Sequence, residues 1–231
     1  MRISGLMKLT LLDFPGHTAC TVFTGGCNYR CPFCHNAELV LRPSAQPEIP
    51  VAEFFALLKK RRGLLDGVAV TGGEPTLQPD LPDFLRRIRD LGYAVKLDTN
   101  GTRPDLLRRL VEEGLVQYVA MDIKNAPDRY GETAGVEDPR LDMIRASAAF
   151  LLEGTVPYEF RTTAVRELHR PEDLREIGRW LRGAERYFIQ CFADSGDLIE
   201  AGLHPCSREE LELLLEAVRP FIPAAELRGA D

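Results

Sequence analysis

No stretch of the 231-residue chain approaches the ~18 uninterrupted apolar residues that a membrane-spanning helix requires. The opening Met1-Arg2-Ile3-Ser4-Gly5-Leu6-Met7-Lys8 lacks the apolar core of a secretion signal, so a cytoplasmic location is expected. Nor is there an excess of positive charge: the formal net charge is −6. The basic runs Lys59-Lys60-Arg61-Arg62 and Arg86-Arg87-Ile88-Arg89 sit in helical patterns with acidic neighbours. They read as solvated faces, so neither nucleic acid nor membrane is expected as a partner. Ser/Gly-rich linkers, low-complexity segments and internal repeats are all lacking, which argues for one continuous domain over residues 1–231. With 45% hydrophobic residues, disorder is excluded as the global state.

What is present alternates. Strand-like runs, short and rich in β-branched or aromatic residues, occur at residues 20–24, 67–71, 94–98, 118–122, 158–163 and 187–191. Amphipathic helix candidates lie between them. Pro50-Val51 opens one that runs to about Arg62, Asp80 caps one that ends before Gly92, and Arg103-Pro104 opens one that ends before Gly114. Others follow Pro139 and Pro171, and Ser207 with Glu210 forms a capping box ahead of a final helix. Six strand–helix units are too few for the usual eight-stranded barrel. An open or partial barrel fits, a flat doubly wound sheet is the alternative, and either puts the site at the carboxyl edges of the strands. The expected layout is an N-terminal extension over 1–19, an α/β core over about 19–192 and a C-terminal segment over 193–231.

The unusual residues fall at those edges. Cys27-Asn28-Tyr29-Arg30-Cys31-Pro32-Phe33-Cys34 packs three thiols into one loop after the first strand. Thiolates at this spacing select an iron–sulfur cluster, zinc or copper(I). A structural zinc site wants four ligands, for which Cys20 or His35 would have to serve, and a cubane also ordinarily takes four cysteines. Three cysteines would leave one iron open to an outside ligand. Gly72-Gly73-Glu74-Pro75 ends the second strand, Asp98-Thr99-Asn100-Gly101 the third and Met121-Asp122-Ile123-Lys124 the fourth, and Arg161 lies within the fifth. Each segment taken singly is also ordinary turn or ion-pair chemistry. Cys20, Cys191 and Cys206 lack the spacing for a second metal site and read as buried thiols. His17, His169 and His204 are isolated and read as structural.

The cysteine loop resembles the C-x3-C-x2-C signature of the radical S-adenosylmethionine (SAM) superfamily, with an aromatic before the last cysteine. The resemblance implies an α/β fold, a partial (β/α)6 barrel of parallel strands. It also implies one [4Fe–4S] cluster on Cys27, Cys31 and Cys34, with SAM chelating the fourth iron. SAM would be contacted by Phe33, Gly72, Gly73, Glu74, Asp98 and Lys124, with Arg161 and Gln190 as further contacts. Gln190 stands where some relatives place a histidine after strand six. Asp98, Thr99 and Asp122 would form a monovalent-cation site. The strand-end segments, together with Leu11-Leu12-Asp13-Phe14-Pro15-Gly16 and Phe160-Arg161-Thr162-Thr163, are similar to those of the glycyl-radical-enzyme activases. The activating proteins of anaerobic ribonucleoside-triphosphate reductase are the particular likeness, with pyruvate formate-lyase activases close by. Such a protein cleaves SAM reductively to a 5′-deoxyadenosyl radical, takes its electron from a donor such as flavodoxin or ferredoxin, and leaves a glycyl radical on the partner enzyme. A radical SAM enzyme acting on a small molecule is the competing reading, and a zinc-binding module is a second.

Overall fold

The computed structural model describes residues 1–194 and 196–229. One sheet carries eight strands in sequential order, β1 (Ile3–Thr10), β2 (Ala19–Thr24), β3 (Gly67–Gly72), β4 (Ala94–Thr99), β5 (Tyr118–Asp122), β6 (Tyr158–Ala164), β7 (Tyr187–Cys191) and β8 (Ala225–Arg228). From β2 through β8 every neighbour is parallel, and β1 joins β2 antiparallel. The sheet does not close, because β1 and β8 remain its edges. Six of these strands are the six read from the sequence, and the partial-barrel expectation holds. The two edge strands were missed. β1 lies in the expected N-terminal extension and β8 in the C-terminal segment, yet both belong to the sheet.

The helices are α1 (Ala37–Leu41), α2 (Val51–Lys60), α3 (Leu81–Asp90), α4 (Pro104–Glu112), α5 (Tyr130–Ala134), α6 (Leu141–Leu152), α7 (Pro171–Trp180) and α8 (Arg208–Val218). α3, α4 and α7 each carry proline in the first turn, where its missing N–H costs nothing. The capping box expected before α8 is present. Ser207 Oγ accepts from the Glu210 amide at 3.2 Å, and Glu210 Oε2 accepts from the Ser207 amide at 2.6 Å. Asp80 does stand at the N-cap of α3, but its side chain makes no capping bond. No helix of the described residues is long and apolar enough to cross a membrane.

Helix faces bury Phe54, Leu58, Leu85, Ile88, Leu107, Leu110, Ile144, Leu151, Leu174 and Ile177 against the outer side of the sheet's Val22, Val70, Val95, Leu97, Val119 and Ile189. Alternate residues on β4, β5 and β6 point the other way, and here the interior is ionic. Lys96, Asp98, Asp122, Glu159 and Arg161 occupy positions that apolar side chains fill in a closed barrel. Burying them is tolerated because each has an opposite charge within reach.

Candidate active site at the carboxyl edge of the sheet

Cys27, Cys31, Phe33, Cys34, Gly72, Gly73, Glu74, Asp98, Thr99, Asp122, Lys124, Arg161 and Gln190 all line one cavity of about 220 Å³. The structure therefore brings together every residue picked as a site candidate. They come from six successive strand ends, the arrangement that the α/β rule assigns to a binding crevice.

The cysteine loop is held on three sides. Its entry is fixed by β3, where the Gly73 amide donates to Thr24 O and the Glu74 amide to Gly26 O, both at 2.8 Å. That approach explains the glycine pair. A Cβ on Gly73 would stand 2.0 Å from Gly26 O, and one on Gly72, whose φ is +113°, would stand 2.3 Å from Thr24 N. On a second side, Asn100 Nδ2 donates to Asn28 Oδ1 at 2.8 Å and Asn28 Nδ2 to Thr102 Oγ1 at 3.1 Å. On the third, the Arg30 amide donates to Ala134 O at 2.9 Å and the Tyr29 hydroxyl to Pro139 O at 2.7 Å. Gly135 lets that contact form, because a Cβ there would lie 2.1 Å from Arg30 O.

The thiols are raised in pKa by burial, Cys27 to about 12, with the neighbouring Glu74 charge adding to the effect, and Cys31 to about 11 against the opposing pull of Lys124. Burial raises Cys34 as well. Buried thiolates of this kind need a positive charge to be stable, which a bound metal cluster supplies. The donor set therefore fits the cluster implied by the sequence: three thiols in one cavity wall, with no further cysteine lining it. Of the fourth zinc ligands considered above, Cys20 lies outside the cavity, whereas His35 lines it but is held by other contacts. Cys20 is fully buried in the core, and His35 stacks on Phe192 with its Nε2 against Ala193 O at 2.7 Å. Cys206 is buried as expected, whereas Cys191 is only partly so.

Glu74 is 1% exposed and unites β3 with β4. Its Oε1 accepts from the Thr76 amide at 3.0 Å, the Thr76 hydroxyl at 2.6 Å and the Thr99 hydroxyl at 2.9 Å, while Oε2 accepts from the Asn100 amide at 2.7 Å. Burial nonetheless raises its pKa. Only Oε2 keeps substantial acceptor capacity for an ammonium in the cavity.

A ladder of alternating charge forms the floor. Lys96 bonds to Asp98 Oδ1, and Arg161 reaches Asp98 Oδ2 at 3.2 Å and Asp122 Oδ1 at 2.9 Å. Lys124 donates to Asp122 Oδ2 at 3.0 Å. Burial would raise the Asp122 pKa, but Arg161 and Lys124 outweigh it and hold the group at about 2. Asp98 is lowered in the same way by Arg161 and Lys96. Burial alone would lower the Lys124 ammonium, and Asp122 and Cys31 reverse that. Phe33 packs edge-on to Phe192 and His169 while lining the cavity. Below the floor a second cavity of about 220 Å³ shares Asp98, Arg161 and Gln190 with the first and extends to Asp13 and Leu12 of the β1–β2 connection.

Sequence reasoning missed Asn28, Asn100, Thr102 and Gly135, which position the loop without bearing chemistry. Asn100 had a turn signal, Gly135 the mark of a helix stop, and Asn28 no signal beyond its place between two cysteines.

Comparison with known proteins agrees with this geometry. The family model of the radical SAM superfamily matches residues 21–181. A protein of Methanocaldococcus jannaschii named "Putative glycyl-radical enzyme activating enzyme" is 31% identical over 194 residues, covering 82% of this chain and 79% of its own. The pyruvate formate-lyase-activating enzyme of Clostridium pasteurianum is 30% identical over 132 residues, 55% of this chain and 54% of that one. Among solved structures, Streptococcus suis SuiB bound to S-adenosylmethionine superposes with a TM-score of 0.70 over 89% of this chain and 49% of that one, at 16% identity. The thiol loop, the strand-end cavity and these matches lead to one conclusion: the chain belongs to the radical SAM superfamily.

Proposed function

We propose that this chain is a glycyl-radical-enzyme activase whose partner is an anaerobic ribonucleoside-triphosphate reductase. The observation that carries the reading is the single cavity lined by the cysteine loop, Gly72 to Glu74, Asp98, Lys124 and Arg161 in a chain most of whose length resembles a named activating enzyme. Cys27, Cys31 and Cys34 would hold the cluster, Glu74 would accept from the ammonium of SAM, Arg161 would meet its carboxylate and Lys124 would approach it. When bound, cluster and SAM together supply a carbon radical that abstracts hydrogen. Everything else is positioning and exclusion of water. Tyr29, Phe33 and Val40 wall the cavity, and the Asn28–Asn100–Thr102 bonds fix the loop before anything binds.

A substrate that is a backbone glycine of another protein needs a route for a polypeptide loop. The unclosed sheet supports such a route. The ribonucleotide-reductase assignment rests on the Leu11–Gly16 and Phe160–Thr163 segments quoted above. The electron would come from a low-potential carrier such as flavodoxin or ferredoxin.

The test is anaerobic incubation of the reconstituted protein with reductant, SAM and a candidate reductase, followed by electron paramagnetic resonance. A glycyl-radical doublet on the reductase is expected, with SAM cleavage that depends on its presence. Vigorous SAM cleavage with a small molecule and no radical on any glycyl-radical protein would move the chain to the small-molecule branch.

A further inference from the structure

The resemblance gives Asp98, Thr99 and Asp122 to a monovalent cation, and the side chains do not fit one. All four carboxylate oxygens are already engaged by cationic groups. Lys96 takes Asp98 Oδ1, Arg161 takes Asp98 Oδ2 and Asp122 Oδ1, and Lys124 takes Asp122 Oδ2. Thr99 Oγ1 donates to Glu74 at 2.9 Å and accepts from the Gly101 amide at 3.1 Å, so its hydroxyl is committed to the strand-end turn. Lys96, Arg161 and Lys124 surround the two carboxylates, and the further acids are engaged as well, Glu74 by Thr76, Thr99 and Asn100 and Glu159 by Arg228 at 2.9 Å. An added alkali ion would have to displace one of these built-in cations from a carboxylate oxygen. The Arg161 guanidinium lies between the two acids, presenting Nη1 to Asp98 at 3.2 Å and Nε and Nη2 to Asp122 at 2.9 Å. A fork of fixed donors serves two carboxylates at once, as a spherical ion would, without having to be recruited from solution.

We propose that Arg161 is the built-in cation of this site, so that SAM binds without any alkali metal. The inference rests on SAM as ligand and is independent of which partner receives the radical, so failure of the glycyl-radical experiment would leave it standing. Two measurements test it. First, SAM affinity of the anaerobically reconstituted protein is compared by equilibrium dialysis in potassium, sodium and choline chloride at one ionic strength. Wild-type affinity should differ less than about twofold between salts, whereas Arg161→Met should bind at least about tenfold more weakly in choline and recover when potassium or sodium is added. Arg161→Lys, which keeps the charge, should remain insensitive to the salt. Second, thermal unfolding of the metal-free wild-type protein should be unchanged when choline is replaced by potassium or sodium. This arm needs neither cluster nor SAM. The proposal is overturned if potassium or sodium tightens wild-type SAM binding about tenfold or raises the wild-type midpoint by more than about 3 °C. It is equally overturned if a folded Arg161→Met protein loses affinity that no alkali ion restores, or loses none.

Discussion

Gly73→Ala isolates the contact on which the site's assembly depends. The added Cβ would meet Gly26 O at 2.0 Å, a backbone atom of the cysteine loop, so no side-chain rotation can relieve it. The two chains must separate, and the bonds at 2.8 Å from the Gly73 amide to Thr24 O and from the Glu74 amide to Gly26 O stretch or break. Two backbone hydrogen bonds at ~1 kcal/mol each, plus ~1–3 kcal/mol of overpacking strain, give a loss of about 3–5 kcal/mol. Against a typical stability of roughly 5–15 kcal/mol, much of the population still folds, so the variant can be purified and studied. Gly16→Ala is the control. Gly16, unlike Gly73, has a positive φ, +74°, but a Cβ there meets nothing within 4 Å, so only the conformational cost of about 1–2 kcal/mol applies. Urea unfolding of the metal-free proteins measures both losses, and iron per chain after anaerobic reconstitution reports whether the loop still takes up a cluster. Gly73→Ala should lose several times more stability than Gly16→Ala and hold markedly less iron. Equal losses, or a Gly73→Ala protein with wild-type iron content, would refute the claim that this close approach shapes the cysteine loop.

Other consequences follow from the same geometry. Glu74→Ala removes the acceptor for two hydroxyls and two amides; at ~1–3 kcal/mol per buried donor left unpaired, urea unfolding should show a loss of at least about 3 kcal/mol. Asp122 is held at about 2 in the folded chain against an ordinary value of 3.8. Its depressed pKa stabilises the fold above pH ~4, and that contribution, about 2 kcal/mol, is lost as pH falls from ~4 towards ~2. Asp122→Asn should flatten the stability–pH curve in that window. With pKa values near 12 and 11, Cys27 and Cys31 of the metal-free protein should be alkylated by iodoacetamide at pH 8 at least about a hundredfold more slowly than an ordinary exposed thiol, as followed by mass spectrometry.

The sequence announces chemistry more clearly than architecture at the edges. The central strands are nearly continuous apolar runs closed by unusual polar residues, so both their existence and their functional ends are readable. β1 offers no comparable signal: Met7, Lys8 and Leu9 face solvent on an edge strand, and its pairing with β2 is irregular. β8 has four residues, too few for periodicity, and its contribution is the Arg228 charge placed on Glu159 and over the Phe188 ring. The chemistry-bearing residues were legible because residue type alone restricts what a thiol triad or a strand-end acid can do. Their partners were not. That Arg161 would bridge Asp98 and Asp122 depends on the relative register of β4, β5 and β6, which pairs Asp98 with Ala120 and Asp122 with Arg161. The resemblance makes Gly72 and Gly73 contacts of SAM, and the structure adds a cause that lies in the chain itself, the approach of Thr24 and Gly26.

Cys27, Cys31 and Cys34 are proposed to anchor the cluster alone and to leave one iron for SAM. This proposal is tested most directly by the triple variant Cys20→Ser, Cys191→Ser, Cys206→Ser, reconstituted anaerobically and examined by electron–nuclear double resonance with SAM labelled at its amino nitrogen and carboxylate. About four irons per chain are expected, as in the wild type, with magnetic coupling of both labels to the cluster. Loss of the cluster in that variant, or a cluster that shows no coupling to either label, would contradict it.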